Sequence, residues 1–125
     1  MYEEKKIEIT QQFVDSVSNY NRIYPYSEGF AIVRKGKYYG FVDAMGKQLT
    51  PCIYDQARLF MNGIAAVSRA DKDGKWGFVD AQGKEVIPMQ YNVAFPFNEG
   101  EVAQVSYKRV YGLIDKNGNG TFKEE

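Results

Sequence analysis

Histidine is missing altogether from the 125 residues, there is a single cysteine, and the prolines number only 4. Without histidine the chain lacks the commonest general base and the commonest metal ligand, which leaves catalysis poorly provided for. One cysteine, Cys52, excludes an internal disulfide. It follows Pro51 beside an expected strand, where a buried, inert thiol is the favoured reading. Net charge is absent too: 16 basic residues balance 16 acidic ones, so nothing draws the chain toward nucleic acid or an anionic lipid surface. No apolar run approaches the roughly 20 residues that span a bilayer. Met1 to Lys6 lead into no uninterrupted apolar segment, which predicts no signal peptide and, by default, a cytoplasmic chain. The glycines do not fall as a phosphate-cradling loop before a helix.

What the chain has is 10 Tyr, 8 Phe and 12 Gly. Aromatics punctuated by glycines suggest short strands and tight turns. They also recur in order. Tyr38-Tyr39-Gly40-Phe41-Val42-Asp43, Lys75-Trp76-Gly77-Phe78-Val79-Asp80 and Tyr111-Gly112-Leu113-Ile114-Asp115 are versions of one phrase. Tyr20, Tyr54 and Tyr91 open the periods, spaced by 34 and then 37 residues. Each is followed by aromatics and a turn at Gly29, Gly63 or Gly100. A strand of the form apolar-Ala-x-Val comes next, with Ala31/Val33, Ala65/Val67 and Ala103/Val105 on one face. A small residue at a fixed place implies something bulky above it, and the aromatic of the aromatic-Gly pair is the expected occupant. The variable turn before that pair holds extra residues at Asp71-Lys72-Asp73-Gly74, as a hairpin tip tolerates. The glycine inside the second strand predicts a bulge or a close approach. Asp43, Asp80 and Asp115, each three residues before a glycine, predict turn-closing side chains rather than an acid/base pair.

The phrase Gly-x-Ala-x-Val, then Gly-Lys-Trp-Gly-Phe-Val-Asp, then Gly-Lys-x-Val-Ile-Pro and Tyr resembles the WG repeat, a tandem β repeat found mostly in bacterial proteins. Tyr39 and Tyr111 stand where the middle unit has Trp76. The resemblance implies a fold and, since the family is defined by its repeat, no particular activity. WG-repeat proteins are generally thought of as interaction or surface modules. The expected fold is all-β: three tandem units over 20–53, 54–90 and 91–125. Each has about three short antiparallel strands, forming a twisted meander that is either a partial barrel or an open solenoid. Residues 1–19 stand outside the repeat. Ile9, Phe13 and Val17 fall at helical spacing while Ile7 and Ile9 alternate as in a strand, and a helix capping the open end is favoured.

These features predict a non-catalytic binding module, with an unidentified protein as partner and no cofactor. The alternative is a cell-envelope or glycan binder using exposed aromatics. Candidate contact residues are those off the repeat pattern: Tyr38, Tyr107 and Arg109 near basic hairpin tips, where tyrosine and arginine favour interfaces. Asp115, Asn117 and Asn119, followed by Gly120, match the start of an EF-hand calcium loop. The closing glutamate of such a loop has no place in the chain, and the repeat already explains Asp115. No metal site is therefore expected.

Overall fold

A computed structural model of the chain describes residues 17–122. The cap expected over residues 1–19 lies almost wholly outside them. The first unit holds β1 (Arg22–Ile23), β2 (Phe30–Lys35), β3 (Tyr38–Asp43) and β4 (Gln48–Tyr54). The second holds β5 (Gln56–Ala57), β6 (Ile64–Ser68), β7 (Trp76–Asp80) and β8 (Glu85–Tyr91). The third holds β9 (Val93–Ala94), β10 (Val102–Tyr107), β11 (Val110–Asp115) and β12 (Gly120–Phe122). Each set is its own four-stranded antiparallel meander, with its strands side by side in chain order. The extra strand beyond the three expected per unit is the two-residue strand that opens each set. The sheets do not close into a barrel, so the open arrangement is the one formed.

The three sheets stack on one another through two unlike faces. In the middle sheet Val67 pairs with Gly77 and Ser68 with Trp76, so Ala65, Val67 and Val79 share one face while Ile64, Ala66, Trp76 and Phe78 share the other. The small-residue face packs on Ile32, Phe41 and Tyr54 of the first sheet. The aromatic face packs on Ala103, Val105 and Ile114 of the third. The aromatic does fill the space above an Ala-x-Val strand, as the sequence predicts, but not that of its own unit. It covers the Ala-x-Val strand of the next one. Tyr111, the third member of the series, is 54% exposed, because no further sheet among the described residues meets it. Its expected place in the core is thus corrected. Gln104 takes the column filled by Ile32 and Ala66, and is exposed.

Local chemistry fixes the joints. The register shifts between Trp76 and Phe78 against β8, and a Cβ at Gly77 would lie 2.5 Å from the Ile87 carbonyl oxygen. Close backbone approach explains the glycine of the pair. The Asp80 carboxylate accepts from the Gln82 and Lys84 N–H groups at 2.9 and 3.0 Å. Asp43 accepts in the same way from Met45 and Lys47, and Asp115 from Asn117 and Asn119. The extra residues before Trp76 coil into a 3-10 turn, Ala70–Lys72, leaving the flanking register intact. Successive units are also tied at their turns. The Glu28 carboxylate accepts from the Asn62 and Gly63 N–H groups at 2.6 and 2.8 Å. The Asn62 amide then donates to the Phe97 carbonyl at 2.8 Å.

A candidate binding groove between repeats

Where the first unit passes into the second, an open groove of about 740 Å³ runs along the side of the stack. It is lined by Tyr24, Pro25, Ile32 and Tyr39 of the first unit, by the segment from Asp55 to Leu59 and by Met61 of the second, and by Pro96 of the third. The repeat itself places these groups. Pro25, Leu59 and Pro96 occupy one repeat column, and so do Tyr24, Arg58 and Phe95. Stacking the units brings each column into a row. Leu59 and Met61 are 44% and 40% exposed, so the groove floor is apolar and open to solvent.

Arg58 is the unusual member of its row. Its guanidinium lies over the Trp76 ring at 4.8 Å and near the Phe95 ring at 5.7 Å. Such stacking holds a cation in place without neutralising it. Its Nε is the buried side-chain nitrogen or oxygen left without a hydrogen-bond partner among the described residues. An unmade buried donor ordinarily costs about 1–3 kcal/mol, and native structures hold few of them. The ion pairs among the described residues join Arg69 to Asp71 and Glu85, and Lys116 to Glu101; none reaches Arg58. Asp55, the acidic group in the groove wall, is engaged by the Ala70 N–H at 2.5 Å. In the lining from the first unit Tyr24 and Tyr39 lie with ring centroids 6.1 Å apart, and Arg22 stacks on Tyr24 at 4.6 Å. The hydrogen bond that Tyr39 shares with Tyr24 holds its phenol above the ordinary tyrosine pKa, helped by their mutual charge repulsion.

The contact residues expected from the sequence lie elsewhere. Tyr38, 36% exposed, sits beside Cys52, Ile53 and Arg69 at a smaller hollow of about 250 Å³. Tyr107 packs edge-on to Tyr91 at 6.2 Å and is half-buried against the second interface. Arg109 is at the tip of the same hairpin, in a left-handed conformation with φ of 70°, its N–H donating to the Asn92 side chain. Tyr107 and Arg109 thus belong to the third sheet and Tyr38 to the first, with the middle sheet between them. Burial pushes the Cys52 thiol pKa up. Asp115, Asn117 and Asn119 form the same turn as their counterparts at Asp43 and Asp80. Among the described residues no group of three or more potential metal ligands is gathered, and no helix is long and apolar enough to cross a membrane. Arg58 has a signal in the sequence: it is an arginine in a column that otherwise reads Tyr24 and Phe95.

The family model described as WG containing repeat matches residues 18–39, 39–75 and 76–108. No curated protein and no solved structure matches the chain. The first two matches break at the aromatic-Gly pair, whose ring bridges one sheet to the next. With three successive matches over most of its length, the chain belongs to the WG-containing repeat family.

Proposed function

We propose that the chain is a non-catalytic protein-binding module whose contact surface is the groove between the first and second repeats. The observation that carries this reading is the open apolar floor at Leu59 and Met61, flanked by the Tyr24–Tyr39 wall and by Arg58. Exposed apolar surface with aromatic and arginine groups at its edges is the composition of interaction sites. A glycan-binding surface would instead need a row of flat, open rings. Trp76 is buried beneath Arg58, which favours the protein-binding reading.

Two exposed substitutions test it. Leu59→Glu puts a charge in the groove, whereas Tyr111→Glu puts one on the outer face of the third sheet. Crosslinking in cell extract should recover partners with the wild type and with Tyr111→Glu that are lost with Leu59→Glu. Equal recovery by all three proteins would place the contact away from the groove.

A further inference from the structure

We infer that Arg58 is an anion anchor, and that the groove takes an extended peptide presenting a carboxylate side chain to Arg58 between apolar side chains seated on Leu59 and Met61. The inference rests on the groove being the contact surface and adds the chemistry of what it holds. Arg58 is stacked against Trp76 at 4.8 Å, has a buried Nε with no acceptor, and has no ion pair among the described residues. It is a cation partly stripped of water and not neutralised from within. A carboxylate supplies the missing counter-charge through the two terminal Nη groups, since Nε itself is closed to solvent. The Trp76 and Phe95 rings hold the guanidinium, at 4.8 and 5.7 Å, beside the groove that Arg58 lines.

The wall's one carboxylate, Asp55, is hydrogen-bonded by the Ala70 N–H at 2.5 Å, and two arginines stand against it. Arg22 lies over Tyr24 of the first unit and adds a second positive group at that side. The apolar floor argues for a peptide rather than a bare polyanion, because phosphate backbones carry no side chains to seat on Leu59 and Met61. The chain's net charge of zero likewise offers no long-range pull on nucleic acid.

A phage-displayed random peptide library selected on the 125-residue chain, with the winning peptides synthesised, fluorescein-labelled and titrated by anisotropy, decides the matter. Selected peptides should share an acidic residue next to an apolar one. Their affinity should fall about tenfold with Arg58→Gln, as loss of a charge-assisted pair implies. It should also fall with added salt. Because Arg58→Gln disturbs the Trp76 stack, Gln56→Lys, at an exposed position of the groove outside the apolar seat, serves as the second variant: it should tighten acidic peptides and leave the melting temperature unchanged. Peptides that lose binding with Met61→Asp yet ignore Arg58→Gln and Gln56→Lys would overturn the anchor and leave the groove reading standing. Peptides indifferent to every groove variant would overturn both. Groove-dependent binding of oligothymidine tighter than any selected peptide would also overturn it.

Discussion

At Gly77 the neighbouring backbone leaves no room for even a methyl group, since the clash is with a carbonyl that the β7–β8 ladder holds in place. Gly77→Ala should therefore destabilise the fold by about 2–3 kcal/mol, read as a lowered urea midpoint. Gly40, whose Cβ would lie 2.7 Å from the Pro51 carbonyl oxygen, is under the same constraint. A different residue-scale effect belongs to Tyr54. Its buried hydroxyl donates to Glu85 at 3.0 Å across the first interface. Burial first, and the Glu85 carboxylate second, push its pKa well above the ordinary value of 10.0. In the unfolded chain Tyr54 loses its proton as the pH passes about 10, while the folded chain keeps it. The stabilisation is thus complete below that pH and shrinks as the pH rises further toward the folded-state pKa. Melting temperatures measured from pH 8 to pH 11 should fall more steeply in the wild type than in Tyr54→Phe; parallel curves would show that Tyr54 contributes nothing to the alkaline loss.

Elements inherit their stability from what stacks on them. Phe41 meets Phe60 edge-on at 5.0 Å, and Phe78 meets Phe97 at the same distance one unit later. Such pairs add to area burial by about 0.5–1.5 kcal/mol each. Trp76, 7% exposed, and Tyr111, 54% exposed, occupy one repeat position but differ in what covers them. Trp76→Ala should cost about 3–5 kcal/mol, the range for emptying a buried aromatic site. Tyr111→Ala should change stability by less than about 0.5 kcal/mol. Chemical denaturation of both variants checks the contrast, and similar losses would mean that the outer face of the third sheet is covered in solution. At this scale the hairpins, the turn aspartates and the tip insertion were legible in the chain, because each depends on residues close in sequence. The facing of the aromatic was not. Alternation within a strand says which residues share a side, but the pairing of Val67 with Gly77 rather than with Trp76 decides where the ring points.

On the scale of the whole molecule, the period was legible and the separation into three sheets was not. β4 ends at Tyr54 and β5 begins at Gln56, so Asp55 alone carries the chain from one layer to the next. Nothing in the composition of that junction distinguishes it from a continuing meander. The groove was hidden for a related reason. Its walls come from different units, and the residue that breaks its column, Arg58, stands out only against Tyr24 and Phe95, 34 and 37 positions away. Repetition builds the scaffold here, and departure from repetition marks the candidate site. The unlike faces of each sheet have one more consequence. A unit that offers a shallow surface on one side and bulky rings on the other can fit its neighbour in only one sense, like cups nested in a row. The succession is therefore directional: turned around, a unit would set alanine against alanine and ring against ring, leaving a gap at one joint and a collision at the other. Side-chain size thus encodes orientation along the stack, and the bonds from Glu28 to the Asn62 turn and from Asn62 to Phe97 run in the same sense.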